Sequence, residues 1–210
     1  MNAEDVCRLA PVIPVLTVAD ARTAGPLARA LTAGGLYALE VTLRTPAALD
    51  AIRAMAQEAP DAVVGAGTLT EPAHVEAALA AGARFGVSPG ATPALLEAAR
   101  AAGLPLLPGV ATPSEAMAAM ERGYRTLKFF PAEVNGGVAA LRAWSGPLAE
   151  LRFCPTGGIS RANAPDYLAL GNVLCVGGSW IAPPELIAAE DWEQITRLAA
   201  EAAALRPRAR

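Results

Sequence analysis

The chain has 210 residues, 53% of them hydrophobic and 18% charged, with a formal net charge of −3. That length fits one α/β domain of the larger kind better than two small ones, and the apolar, Ala- and Gly-rich composition excludes a disordered chain. The weak negative charge excludes a broad electrostatic footprint for nucleic acid or an anionic membrane, so an anionic ligand must be met by a local site.

The opening M-N-A-E-D-V-C-R-L-A places acids where a signal peptide would be basic. No uncharged apolar stretch approaches the roughly 18 residues of a membrane span, so a cytoplasmic protein without membrane contact is expected. Short apolar runs then alternate with longer Ala/Leu/Glu/Arg segments. The runs read as strands at 12–16, 36–41, 62–65, 85–87, 105–107, 126–130, 151–154 and 174–176. Between them lie stretches of helical period such as A-A-L-D-A-I-R-A-M-A-Q-E and T-P-A-L-L-E-A-A-R-A-A.

Proline just inside a polar cap opens several of these helices, at Thr45-Pro46, Glu71-Pro72, Thr92-Pro93 and Thr112-Pro113, and glycine closes others, at Gly34, Gly82, Gly103 and Gly123. The unbroken rhythm of β/α units predicts a single-domain (β/α)8 barrel over 1–210, ahead of an open doubly wound sheet. Residues 205–210, L-R-P-R-A-R, read as a short basic tail.

In such a barrel the chemistry collects where the strands end. Strand two ends in E-V-T-L-R-T, with Glu40 and Arg44. Glu40 shares a face with Leu36 and Ala38 by alternation, and a carboxylate on an interior face needs a partner. Arg44 is either an exposed loop cation or a planar clamp for a substrate carboxylate. Strand three ends in G-A-G-T with Thr68, and strand four in S-P-G with Pro89.

The only histidine, His74, falls in the first turns of a helix, where a surface or capping role is expected; a site built on several histidines is excluded. Three cysteines, Cys7, Cys154 and Cys175, lack CxxC spacing, so neither a disulfide framework nor a zinc site is indicated. Cys154 and Cys175 read as small core residues. No metal and no cofactor are expected.

Strand six carries Lys128 in T-L-K-F-F-P-A-E. A buried ammonium gives up its hydration at a cost of several kcal/mol. Lys128 is therefore the counter-ion of Glu40 or of another interior carboxylate, or it snorkels, or it is a Schiff-base amine, whose neutral nucleophilic form would be favoured by apolar walls such as Phe130 and a cation such as Arg44. Glu40 has the matching alternatives of a neutralising partner or a general acid/base. Glu133 and Asn135 read as loop and helix-entry residues.

Strands seven and eight end in C-P-T-G-G-I-S and V-G-G-S-W. Thr156-Gly157-Gly158 and Gly177-Gly178-Ser179 are each expected to bring bare amides to the start of a helix, a favourable place for phosphate. Thr68 and Thr156 can hydrogen-bond a substrate or cap the next helix, and Trp180 is expected to pack under the last loop.

The motifs E-V-T-L-R-T, V-G-A-G-T, V-S-P-G, K-F-F-P-A-E, R-F-C-P-T-G-G-I and V-G-G-S-W, in this order, resemble the 2-keto-3-deoxy-6-phosphogluconate (KDPG) and 4-hydroxy-2-oxoglutarate (KHG) aldolases, class I aldolases of the Entner–Doudoroff pathway. The resemblance implies a metal-free (β/α)8 homotrimer acting on a phosphorylated 2-keto acid to give pyruvate and glyceraldehyde 3-phosphate. It implies Lys128 as the Schiff-base residue and Glu40 as the proton-transfer residue. Arg44, Thr68 and Thr156 would hold the pyruvoyl carboxylate end, Pro89 and Phe130 would shape the pocket, and Gly157, Gly158, Gly178 and Ser179 would hold the phosphate. The galactonate epimer of the substrate, a phosphosugar isomerase and a noncatalytic phosphate-binding barrel remain the rival readings of the same residues.

Overall fold

The computed structural model describes residues 1–205. The basic tail expected at 205–210 lies outside the described residues apart from Leu205. A short helix, α1 (Ala3–Cys7), precedes β1 (Val12–Leu16), α2 (Ala24–Ala33), β2 (Ala38–Thr42), α3 (Ala48–Glu58) and β3 (Val63–Gly67). There follow α4 (Pro72–Ala80), β4 (Phe85–Val87), α5 (Pro93–Ala101), β5 (Leu106–Leu107), β6 (Gly109–Val110), α6 (Pro113–Glu121) and β7 (Thr126–Phe129). The chain continues through α7 (Gly137–Trp144), β8 (Arg152–Pro155), α8 (Ala164–Leu168), β9 (Val176–Gly178), α9 (Pro184–Ala188) and α10 (Trp192–Ala203).

All the strand pairs are parallel. A curled six-stranded sheet runs β5-β4-β3-β2-β1-β9, and a three-stranded sheet runs β6-β7-β8. The expected fifth strand, 105–107, is β5, and an unexpected short strand, β6, follows beyond Pro108: β5 pairs with β4 through Gly86 and Leu106, whereas β6 pairs with β7 through Gly109 and Lys128. Two isolated parallel bridges, Phe153 with Val173 and Thr156 with Gly177, link β8 to the segment that contains β9.

β2, β3 and β9 run further toward their C-termini than the apolar runs at 36–41, 62–65 and 174–176 suggest. Their last residues, Thr42, Gly67 and Gly178, are polar or lack side chains, yet Thr42 still registers with Gly67 and Gly178 with Pro14. Hydrophobicity marks the packed part of a strand, whereas the ladder needs only backbone.

Alternation divides the apolar side chains into two clusters. Leu39, Val41, Leu127 and Phe129 belong to the larger one, between strands and helices, while Ile13, Ala38, Val63, Phe85, Leu107, Cys154 and Cys175 form an enclosed inner one with Val6 and Cys7 of α1. Each fully buried Leu, Ile or Phe contributes about 1.5–3 kcal/mol relative to exposure. The helix punctuation is partly as expected. Thr92 and Thr112 cap α5 and α6, the latter in a reciprocal capping box with Glu115. Thr45 caps nothing: α3 begins three residues later, and the Thr45 hydroxyl donates instead to the Val18 carbonyl at 2.5 Å.

Candidate active site

Glu40 and Lys128 are both inward-facing members of their strands. Glu40 alternates with Ala38 of the inner cluster, and the two neighbours of Lys128, Leu127 and Phe129, point to the helices. The side chains therefore meet inside, where Glu40 is 3% and Lys128 7% exposed. Lys128 Nζ donates to Glu40 Oε1 at 3.4 Å, a loose contact, and lies 5.0 Å from the centroid of the Phe130 ring. Burial pushes the Glu40 carboxyl above its ordinary range, and the charge of Lys128 opposes that rise.

The carboxylate has room because Gly67 carries no side chain: a Cβ there would overlap Glu40 Oε1. Sequence reasoning missed this glycine and the supporting threonines. Arg44 is exposed, two residues beyond β2, and its Nη2 donates to Thr17 Oγ1 at 3.0 Å. Thr17 Oγ1 in turn lies 3.2 Å from Thr42 Oγ1, and the Thr42 hydroxyl donates to the Leu16 carbonyl at 2.8 Å. The signal for Thr17 was the period of β1, since Ile13, Val15 and Thr17 alternate onto the inner face.

Thr68 follows β3 with φ at 64°, a left-handed conformation unusual for a β-branched residue. Its half-buried side chain is thus fixed by a local backbone strain that the sequence did not advertise. Pro89 is exposed at the rim, and its carbonyl lies so near Gly109 that a Cβ on Gly109 would overlap it. Gly109 is the β6 partner of Lys128. Phe130 is half-buried and joined to Pro131 by a cis peptide. Thr156 is buried, with its hydroxyl 3.5 Å from the Cys154 carbonyl.

The two glycine pairs require a correction. Neither opens a helix directly, because α8 begins at Ala164 and α9 at Pro184. Gly157 and Gly158 form a turn with φ values of 98° and 77°, packed on Pro131 and Glu133, whereas Gly177 and Gly178 are strand residues that make space for Thr156 and Trp180. A helix dipole therefore does not act on either pair. The bridge between Thr156 and Gly177 nevertheless sets the two loops side by side, with Gly158 and Ser179 exposed.

His74 lies outside this group; its Nδ1 accepts from the Thr70 amide at 3.2 Å at the start of α4. Cys7, Cys154 and Cys175 are all buried, as expected for the last two. Among the described residues no cluster of three or more His, Cys, Asp or Glu side chains could hold a metal ion. What the site offers chemically is a buried amine, a carboxyl group whose pKa burial raises, an exposed guanidinium and an apolar wall.

A parallel α/β sheet that brings a buried lysine and a buried glutamate together at its strand ends has the groups that enzymes acting through an amine and an acid/base partner need. The model of the KDPG and KHG aldolases matches residues 3–198, and the chain belongs to that family. It is 53% identical over 201 residues to the KHG/KDPG aldolase of Escherichia coli K12, covering 96% of this chain and 94% of that protein. The crystal structure of a KDPG aldolase from Legionella pneumophila, with pyruvate captured as a covalent carbinolamine, superposes with a TM-score of 0.95 at 46% identity, covering 97% and 99% of the two chains. The KDPG aldolase of Zymomonas mobilis ZM4 with 3-phosphoglycerate gives a TM-score of 0.93 at 48% identity, covering 98% and 96%.

Proposed function

We propose that this chain is a class I aldolase, a carbon–carbon lyase that reversibly cleaves KDPG to pyruvate and D-glyceraldehyde 3-phosphate through an imine on Lys128. The observation that carries the reading is the contact of Lys128 Nζ with Glu40 Oε1, 3.4 Å apart in a buried interior. The carbinolamine of the Legionella relative is the first covalent adduct that such an amine forms with pyruvate. The name of the Escherichia coli relative adds 4-hydroxy-2-oxoglutarate, cleaved to pyruvate and glyoxylate, as a second substrate.

Lys128 Nζ attacks the C2 ketone, and the carbinolamine loses water with a proton supplied by Glu40, leaving a protonated imine. Glu40, directly or through a water, takes the proton of the C4 hydroxyl as the C3–C4 electron pair moves into the imine. Glyceraldehyde 3-phosphate leaves, the enamine is protonated at C3, and hydrolysis releases pyruvate and restores the amine. The rise of the Glu40 carboxyl on burial suits it to both directions of transfer.

Arg44, Thr68 and Thr156 hold the pyruvoyl end, Pro89 and Phe130 shape the pocket, and Gly157, Gly158, Gly178 and Ser179 bind phosphate in this reading. Their support is placement at neighbouring strand ends. Remote phosphate binding then orients C4 toward Glu40. Pyruvate with borohydride, followed by peptide mass spectrometry, tests the chemistry: a reduced adduct confined to Lys128 supports it, and no adduct from folded protein returns Lys128 to a counter-ion.

We also read residues 1–210 as one domain whose two sheets close into a (β/α)8 barrel. Only Pro108 separates β5 from β6, and two bridges link β8 to the β9 segment, which supports closure. A crystal structure with those bridged pairs apart would break it. A cytoplasmic homotrimer completes the proposal on family resemblance; sedimentation as a monomer at working concentration would contradict the trimer alone. No helix among the described residues is long and apolar enough to cross a membrane.

A further inference from the structure

The loop after Lys128 is stitched to the glycine turn after β8 more tightly than either motif requires. Ala132 N–H donates to the Thr156 carbonyl at 2.8 Å, and Glu133 N–H donates to the Gly157 carbonyl at 3.1 Å. The Glu133 stem lies against Gly158, where an added Cβ would fall 2.5 Å from Glu133 Cγ. Its carboxylate accepts a hydrogen bond from the hydroxyl of Tyr167, a fully buried residue of α8. Gly137, with φ at 55°, lies beneath that contact: a Cβ there would stand 2.9 Å from the Tyr167 hydroxyl and 3.1 Å from Glu133 Oε1.

Nothing in the imine chemistry uses Glu133 or Tyr167, yet a largely exposed glutamate is anchored by a buried phenol, and glycine stands on both sides of it. Burial pushes the Tyr167 hydroxyl well above its ordinary range, and the Glu133 carboxylate adds to the rise, so the phenol remains a donor.

We propose that Glu133, held by Tyr167, is a positioning residue that fixes the Gly157–Gly158 turn relative to Lys128 and thereby selects phosphorylated 2-keto acids over unphosphorylated ones. The inference rests on the reading of Lys128 as the imine residue and of the glycine turn as a phosphate site. Glu133 grips the turn through its stem and backbone, and Tyr167 keeps the stem from swinging into solvent. An unphosphorylated substrate does not reach the turn and should not sense the clamp.

The test compares wild type, Tyr167→Phe, Glu133→Ala and Glu133→Gln on KDPG and on 4-hydroxy-2-oxoglutarate, with borohydride trapping of pyruvate alongside. Loss of a hydrogen bond to a charged group converts to about a tenfold fall in kcat/KM for KDPG in Tyr167→Phe and Glu133→Ala, expressed mainly in KM. Activity on 4-hydroxy-2-oxoglutarate and the pyruvate adduct should stay within about twofold, because the lost bond lies outside the part of the site that these ligands contact. Glu133→Gln keeps a carbonyl acceptor for the phenol and should rescue KDPG turnover to within about threefold of wild type.

Equal falls on both substrates, or no fall on either, would overturn the clamp while the adduct on Lys128 still stands. Because Tyr167→Phe alters a buried position, Glu133→Ala, at an exposed one, decides the question if that variant fails to fold. A wild-type chain that forms no pyruvate adduct would overturn both the clamp and the reading beneath it.

Discussion

The inner face of the strands has two layers of opposite character, one residue pair apart. On β2, Ala38 lies in the lower layer and Glu40 in the upper; on β8 Cys154 lies below, and Thr156, the residue after the strand, lies above. The lower layer is apolar and thiol-lined, with Cys7 of α1 packed against Cys154 and Cys175. The upper layer pairs Glu40 with Lys128 and lies by the strand ends that lead to Arg44, Pro89 and the Gly157–Gly158 turn. A third region, at the N-terminal ends of β5 and β7, holds a cleft of about 570 Å3 lined by Arg100, Leu106, Tyr124 and Thr126 among others. That cleft holds no buried amine or carboxylate pair. The cleft by itself therefore gives no reason to place chemistry there; charged groups buried together, as Glu40 and Lys128 are, mark the candidate site.

The strongest way to break the contrast is to remove the charge of the upper layer. Lys128→Met is expected to lower turnover by on the order of 10^4-fold or more, with no pyruvate adduct, because Lys128 is the only lysine of the chain. A surviving adduct at another amine would contradict the assignment. Glu40→Gln is expected to lower kcat by about 10^2–10^4-fold while Lys128 still traps pyruvate, more slowly, which steady-state and trapping rates would separate.

The same substitution carries a pH signature. Because the folded pKa of Glu40 is raised, the native state holds the proton more tightly than the unfolded chain. Its contribution to stability is then fully present below the ordinary carboxylate pKa and is lost as pH rises toward the raised value. Urea unfolding across that window should show wild type losing stability relative to Glu40→Gln with rising pH. The opposite slope would mean that Lys128 outweighs burial.

Much of this was legible in the chain itself. Period-two alternation was enough to turn Glu40 inward, and a lysine inside T-L-K-F-F-P needed an interior partner. The strand ends were not legible: Gly67 and Gly178 carry no apolar signal, and their role is to leave space for Glu40 and Trp180. A glycine pair that makes a tight turn or ends a strand looks the same in sequence as one that enters a helix. The difference lies in where the next helical residues start, and here α8 and α9 begin several residues on. Glu133 is the loop residue it looked like, but its anchoring was not legible because its partner, Tyr167, is 34 positions away.

Thr68 sharpens the contrast from the backbone side. At φ 64° the threonine stores strain at the rim of the upper layer, of order 1–3 kcal/mol, which glycine would release at some cost in unfolded-chain entropy. Thr68→Gly is expected to gain up to about 1 kcal/mol of stability and to lose several-fold in kcat/KM with the hydroxyl. Thr68→Ala should lose the same activity without the gain. Denaturant unfolding of both variants checks it, and a stability gain in neither would remove strain from the account.

The lower layer gives the smallest expected effect. Cys7 and Cys175 are both pushed well above the ordinary thiol range, first by hydrogen bonding to Cys154 and then in part by burial. The three buried thiols should resist alkylation in the folded protein and react once it is denatured. Cys175→Ala removes one sulfur from a close-packed interior, an expected cost of about 1 kcal/mol, while kcat/KM stays within about twofold because no reacting atom touches it. Intact-mass counting of alkylated thiols and parallel kinetics would check both parts. A large loss of turnover with little loss of stability would show that the two layers act as one, with the thiols tuning Lys128 from below.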